Sequence, residues 1–362
     1  MIKKYILLIV ITLFISSCYN YVEINNLVII SGIGIDYKDN EYKVSFETLY
    51  QDKNKPDSNY EKGIIKKSSG KTLADALENI SLVLEKEPYF AHLKVLVISK
   101  DIANNHLSEL CDYFLRNNDI RNIFSVVISD GSSPEEILSL SDDFYPVASE
   151  KIISLLESNT YSSYITKNKY FKNIASNYLS KEKNISLSSI KIIDNDLSLG
   201  DIIIFNDNKI VGSLNNDLSM ALSLIDNNTT KALYTINCDK EKKITIKVYN
   251  SKTSYDFKDS FFVINNNLNA EIVENSCLID SNNNQKMSKI TKEFENLINN
   301  KMKLLINYLK ENNSDILGIN NKYYIKTRKK DNGYFLNNNY SVNTKIKINK
   351  NGLIFEVKDD NN

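Results

Sequence analysis

The chain has 362 residues, 42% hydrophobic and 25% charged, a globular composition too long for one core of ordinary size, so two or three domains are expected. Lysine plus arginine and aspartate plus glutamate each total 45. That zero balance excludes the basic excess of a nucleic-acid binder and a polybasic patch for membrane attachment.

In chain order the first element is Lys3 to Cys18, KKYILLIVITLFISSC. Two lysines, an uncharged run from Tyr5, two small residues and a cysteine follow the order of a secretory signal. As a helix the apolar run would be about 20 Å long, against about 30 Å for a bilayer core, so it is short for a permanent span. Ile15-Ser16-Ser17-Cys18 resembles a bacterial lipobox. That resemblance implies cleavage before Cys18, an S-diacylglycerol thioether on its sulfur and an N-palmitoyl group on its new amine. One acyl chain holds a protein only reversibly, whereas two or three on one residue hold it stably. An uncleaved signal anchor with an ordinary cysteine is the alternative.

The residues divide into a signal peptide (1–17), an N-terminal α+β domain (18–130), a mostly helical middle lobe (131–195) and a C-terminal α+β domain (196–362). In the first domain Leu27 to Tyr37 and Tyr42 to Tyr50 read as strands joined by a turn at Lys38 to Glu41. Ile64 to Ser69 is a third strand. Thr72 is expected to cap a helix running to about Lys86, with Leu73, Leu77, Ile80 and Leu84 on one face and Pro88 ending it. A strand over Phe90 to Ser99, a helix over Ile102 to Leu115, a strand over Ile123 to Ser129 and a short helix from Pro134 follow. The loop Arg116 to Arg121 reads either as a partner-binding loop or as a local arrangement, with Arg116 complementing a helix end and Asp119 pairing with an arginine.

The middle lobe reads as helical over Val147 to Glu157 and Tyr170 to Leu179. Strands are expected at Ser188 to Ile193 and Gly200 to Phe205, a hairpin turn at Asp207-Asn208, and a helix from a cap at Asn216 or Asp217 to about Ile225. Tyr234 to Tyr249, Ser254 to Phe257, Phe261 to Ile264 and Leu268 to Asn275 read as an antiparallel set. Gln285 to Lys310 is the longest helix, with Ile290, Phe294, Leu297, Leu304 and Tyr308 marking one face, and Tyr340 to Glu356 closes the domain with a turn at Asn351-Gly352. Asparagine runs are taken as turns, because asparagine tolerates left-handed backbone. The expected fold is α+β and multi-lobed, with mixed and antiparallel sheets, packed helices and a long helix in the C-terminal domain.

Three segments of the first domain, YVEINNLVIISGIGID, AHLKVLVISKDIA and DYFLRNNDIRNIFSVVISDG, together with GDIIIFNDNKIVGSL, NNSDILGINNKYY and VNTKIKINKNGL further on, resemble the spore germinant receptor C-subunit family, Ger(x)C. The resemblance runs from Cys18 to about Leu353 and departs from the pattern at Asn320-Asn321 and in the middle lobe. It implies a non-catalytic lipoprotein on the outer face of the spore inner membrane. Its partners would be two integral-membrane subunits, A and B, and nutrient binding would lead to germination. A lipid-anchored solute-binding protein is the competing reading, but such proteins alternate strand and helix throughout.

The residues themselves nominate no active site. Only two histidines occur, His92 and His106, neither with a second ligand at metal spacing. Gly32-Ile33-Gly34 lacks the third glycine and following helix of a phosphate loop and reads as close backbone approach within a sheet. No Gly-x-Ser-x-Gly elbow occurs. Asp36 and Asp315 are explained by local hydrogen bonding. No cofactor or metal site is expected. Cys111, Cys238 and Cys277 read as three small buried thiols, with Cys238–Cys277 the one pair considered for a disulfide.

Overall fold

The computed structural model describes residues 26–51, 61–158, 165–166, 169–229, 231–238, 241–279 and 283–349. Cys18 and the signal sequence lie outside the described residues, as do Asn351-Gly352 and the rest of the last predicted strand beyond Asn349.

The first sheet is built on β1 (Leu27–Lys38), which pairs antiparallel with β2 (Glu41–Gln51), itself antiparallel to β3 (Glu61–Gly70). On its other side β1 runs parallel to β5 (Val95–Ile98), then β6 (Ser125–Ser129), then β7 (Ser186–Ile193). The antiparallel β8 (Asp196–Asn206) and β9 (Lys209–Leu214) complete the path, and a short β4 (Glu87–Tyr89) lies parallel to the start of β1. Three of the tight turns share one device. Asp39-Asn40, Asp194-Asn195 and Asp207-Asn208 all have positive φ at both residues, the backbone a two-residue hairpin demands.

Both faces of this sheet are covered, so the central strands are apolar throughout rather than alternating. Leu96 and Ile98 face one core while Val95 and Val97 face another. The first core is roofed by α1 (Leu73–Glu78), α2 (Lys100–Asn105), α3 (Leu107–Arg116) and α6 (Phe171–Ser180). The second is roofed by α4 (Pro134–Ser139) and α5 (Ala148–Glu157). Each short helix has a local start signal: Thr72, Ser99 and Ser133 accept from backbone N–H groups, and Ser133 with Glu136 forms a capping box ahead of Pro134.

The second sheet has the order β10 (Ala232–Asn237), β11 (Lys243–Lys258), β12 (Phe261–Asn275) and β13 (Asn339–Asn349). Across it lies α8 (Asn284–Glu311), 28 residues and about 42 Å long. Its buried stripe is Ile290, Phe294, Ile298, Met302, Leu305, Ile306 and Leu309. The helices α7 (Asn216–Ile225), α9 (Ile319–Thr327) and α10 (Tyr334–Asn337) fill the remainder. This core also takes in Ile202, Ile204 and Leu214, so the β8–β9 ribbon belongs to the first sheet by hydrogen bonds and to the second core by its side chains. The mixed α/β architecture with a long late helix is the one expected.

Several local expectations are corrected. The helix from Thr72 ends at Glu78 and tightens into a 3-10 turn over Asn79–Leu82. The chain can then reach β1 as β4, where Pro88 is opposite Val28. The predicted 102–115 helix is two helices broken at His106, whose φ of −126° and ψ of 19° are not helical. The segment read as one strand over Tyr234–Tyr249 is divided between β10 and β11, β11 continues through Ser254–Phe257, and Phe261–Ile264 and Leu268–Asn275 are one strand, β12, because Asn265 to Asn267 sit inside it rather than turning. Strand β13 joins β12 in parallel. Leu304, assigned to the buried face of the long helix, is 61% exposed, since the stripe passes through Met302 and Leu305 instead. The cap of α7 is Asn215, one residue earlier than read.

Candidate functional site

The residues singled out in the sequence do not converge. The His92 ring lies tilted against that of Tyr89, with centroids 5.7 Å apart and planes at 55°. His106 lies across the sheet's other end, its Nδ1 3.0 Å from the Tyr42 hydroxyl and its ring 4.2 Å from that of Tyr37. Burial pushes the Tyr42 phenol up to about 12, so it remains protonated. Among the described residues no group of three or more His, Cys, Asp or Glu side chains is placed to hold a metal ion. Nor is any helix there long and apolar enough to cross a membrane.

The Arg116–Arg121 loop is organised locally. Arg116, in the last turn of α3, donates to Asp112 at 2.7 Å, and both side chains are exposed. Asn117 Oδ1 accepts the Asp119 backbone N–H at 2.9 Å. An exposed pair one helical turn apart contributes only a few tenths of a kcal/mol, about 0.3–0.5. Between α1 and α3 the same elements leave an open cleft lined by Thr72, Leu73, Glu109, Tyr113 and Arg116 among others.

The reading of three buried thiols is corrected. Cys238 and Cys277 form a disulfide with Cα atoms 6.1 Å apart, tying the end of β10 to the residues after β12. Among the described residues Cys111 is the free thiol; it is buried, pushed up to about 12 by burial, and is therefore an inert core residue.

Two buried carboxylates, one of them overlooked in the sequence, organise the backbone. Glu47 on β2 is 1% exposed. Its Oε1 accepts the Ala148 N–H at 2.6 Å and its Oε2 accepts the Ser149 N–H at 3.1 Å and the Ser31 hydroxyl at 2.8 Å. The first residue before α5, Val147, has no capping side chain, so Glu47 supplies the cap from another strand. Glycines make the room: a Cβ on Gly32 would lie 3.2 Å from Glu47 Oε2, and one on Gly63 would lie 2.8 Å from Oε1. Burial raises the Glu47 carboxyl above the ordinary range, opposed by its donors. A charged residue opposite Gly32 on β1 and diagonal to Gly63 on β3 is the signal, but it requires the register.

Asp315 acts alike after α8. It accepts from the Ile319 N–H at 2.8 Å and the Asn320 N–H at 2.9 Å, starting α9 where Gly318, at φ +64°, has no side chain to do so. Its backbone N–H donates to Asn184 Oδ1 at 2.7 Å, and the neighbouring Ser314 hydroxyl donates to the Phe205 carbonyl at 2.6 Å. Local hydrogen bonding was expected of Asp315, and the tie to Asn184 and Phe205 adds a junction between the two sheets' elements. Burial raises this carboxyl as well. Both carboxylates have their oxygens engaged by donors, so their role is to fix backbone, not to transfer protons.

Comparison with known proteins agrees with this architecture. The family described as spore germination protein N-terminal domain matches residues 20–192. The family described as spore germination B3/GerAC like, C-terminal, matches residues 200–352. Among solved structures, that of the GerBC protein is similar in fold, with a TM-score of 0.57 and 15% identity over 88% of this chain and 96% of that one. No curated protein matches the sequence. The two family matches adjoin at the start of β8 and together span nearly all the described residues, and the chain belongs to the GerAC-like family of spore germination proteins.

Proposed function

We propose that this protein is the lipid-anchored C subunit of a nutrient germinant receptor. It would be held by Cys18 at the outer face of the spore inner membrane and work by binding two integral-membrane subunits, A and B. The observation that carries the reading is family membership over residues 20–352, joined to the Lys3–Cys18 leader at the point where the family match begins. The architecture is consistent with a subunit that works by contact. Its buried carboxylates are spent on backbone, its free thiol is inert, and its zero net charge leaves attachment to lipid and protein partners. The disulfide fits the oxidising setting reached by an exported chain.

The lipid itself supplies the energy of attachment. Each buried methylene contributes about 0.8 kcal/mol, so several acyl chains on one cysteine hold the protein for its working life. Under this reading Cys18→Ala abolishes incorporation of radiolabelled palmitate and releases the protein from washed spore membranes. Label remaining in the Cys18→Ala protein would contradict it. Deletion of the gene blocks germination to some nutrients while spores still form, and unaltered responses to every nutrient in a strain lacking related genes would contradict the receptor role.

A further inference from the structure

We infer that the outer face of the second sheet holds an acidic, extended segment of a partner protein, in a cleft where three lysines surround asparagine side chains. The inference deepens the reading of this protein as a subunit that works by contact, and rests on it only for the source of that segment. Helix α8 packs on one face of the sheet. Along β13 buried residues alternate with exposed Asn343, Lys345 and Lys347, so the opposite face is open there. Strand register brings two rows together on it. Lys252, Asn267 and Lys345 are in register across β11, β12 and β13, and so are Asn250, Asn269 and Lys347. Residues two apart share a face of a strand, so all six side chains stand on the outer side. An extra residue, Tyr249, is inserted in β11 between Val248 and Asn250, and such a bulge bends the strand beside them. The six residues line one open cleft of about 550 Å³.

The polar groups of this cleft are unengaged, unlike those on either side of it. On the row before it Lys247 is paired with Glu271. On the row after it Asn265 donates to Asp256 at 2.8 Å and accepts from Asn343 at 3.2 Å. Between these rows the three lysines and three asparagines make no side-chain hydrogen bond or ion pair with another described residue. Among the described residues no carboxylate lines the cleft. The chain as a whole has equal numbers of acidic and basic residues, so three uncompensated lysines in one place are a local feature.

Spacing decides the kind of ligand. Lys345 and Lys347 stand about 7 Å apart along β13, and Lys252 about 10 Å from Lys345 across two strand spacings. Alternate side chains of an extended peptide are also about 7 Å apart, so acidic residues two positions apart in a partner segment meet Lys345 and Lys347 together. Each asparagine carboxamide offers both a donor and an acceptor, the complement of a peptide group. A single exposed ion pair contributes little, so selectivity comes from three lysines and the amides acting on one segment. Anionic lipid headgroups fit less well, because lipid-reading patches gather about four to eight basic residues and this one has three.

The test uses the lipidated full chain in nonionic detergent and fluorescein-labelled hexaglutamate, read by anisotropy at low salt. The expected result is saturable binding, weakened about tenfold by Lys252→Gln, Lys345→Gln and Lys347→Gln together. Asn267→Ala with Asn269→Ala, which leaves the charge unchanged, weakens it about threefold. Lys286→Gln, Lys289→Gln and Lys292→Gln, which remove three exposed lysines of α8, change it less than about twofold. Equal losses from the two lysine triples overturn the inference, because the peptide would then read net charge alone. Binding that appears only after residues 350–362 are removed also overturns it, because the cleft would then belong to this chain's own continuation. Displacement of the peptide by stoichiometric phosphatidylglycerol in the micelles assigns the cleft to headgroups and overturns it as well. Absence of hexaglutamate binding overturns the inference and leaves the receptor reading intact. Binding through these lysines by a protein that co-purifies with no integral-membrane subunit would overturn the receptor reading alone.

Discussion

Glu47 and Ala148 stand 101 positions apart in the chain, yet the Ala148 N–H donates to the Glu47 carboxylate at 2.6 Å and so fixes where α5 begins on the first sheet. Ser149 and Ser31 complete the set of donors. Removing the carboxylate leaves buried donors unmatched, which costs about 1–3 kcal/mol per group. Glu47→Ala is therefore expected to destabilise the protein by about 2–4 kcal/mol and Glu47→Gln by about half that, in denaturant unfolding. Gly63→Ala, which sets a methyl against Glu47 Oε1, is expected to cost about 1–3 kcal/mol by overpacking. Unchanged midpoints for all three would refute the clamp.

Protonation gives the same clamp a pH signature. The folded-state value of Glu47 is raised by burial, so between the ordinary carboxylate value of 4.5 and that raised value the folded protein binds more protons than the unfolded chain. The contribution of Glu47 to stability is therefore fully present below the ordinary value and is lost as pH rises through the raised one. Glu47→Gln should flatten that part of the stability–pH curve. A wild-type minus Glu47→Gln difference that grows with pH would show the opposite sign and contradict the burial argument.

At the junction of the two cores, Asp315→Ala removes the acceptor that starts α9 and disturbs the loop held to Asn184 and Phe205. Loss of a cap costs about 0.5–2 kcal/mol, and buried donors add to it, so a destabilisation of about 2 kcal/mol is expected. Hydrogen exchange should rise in Ile319–Thr327 and near Asn184 together. Exchange confined to the helix would show that the junction does not depend on Asp315.

The cysteines are countable. In the soluble fragment beginning after Cys18, no thiol should react rapidly in the native state, one (Cys111) should appear on denaturation, and three only after reduction as well. The disulfide closes a segment of sequence separation 39, and its removal by Cys238→Ser with Cys277→Ser should cost about 2–4 kcal/mol. Three thiols on denaturation without reductant would contradict the pairing.

The features legible in the sequence were those set by neighbouring residues. The turns at Lys38–Glu41 and Asp207-Asn208, the Thr72 cap, Pro134 and the length of α8 all follow from local rules. What escaped depended on partners far along the chain. Asn265 to Asn267 have the composition of a turn but lie mid-strand, where Asn266 is fully buried with its side-chain nitrogen 3.9 Å from Met302 Sδ on α8. Strand β4 exists only because β1 offers it an edge, and Pro88 is tolerated there because β4 pairs on one side. The break at His106 reflects packing against Tyr37 and Tyr42, and Glu47 could be recognised as a clamp only once the register set it beside Gly32.

The most direct test of the account is to isolate inner membranes from dormant spores carrying an affinity-tagged copy of this chain, and to identify what co-purifies and what modifies its first mature residue. The account predicts a lipid-modified Cys18 and co-purification of two integral-membrane receptor subunits. A bare Cys18 thiol on a protein recovered in the soluble fraction without those partners would contradict it.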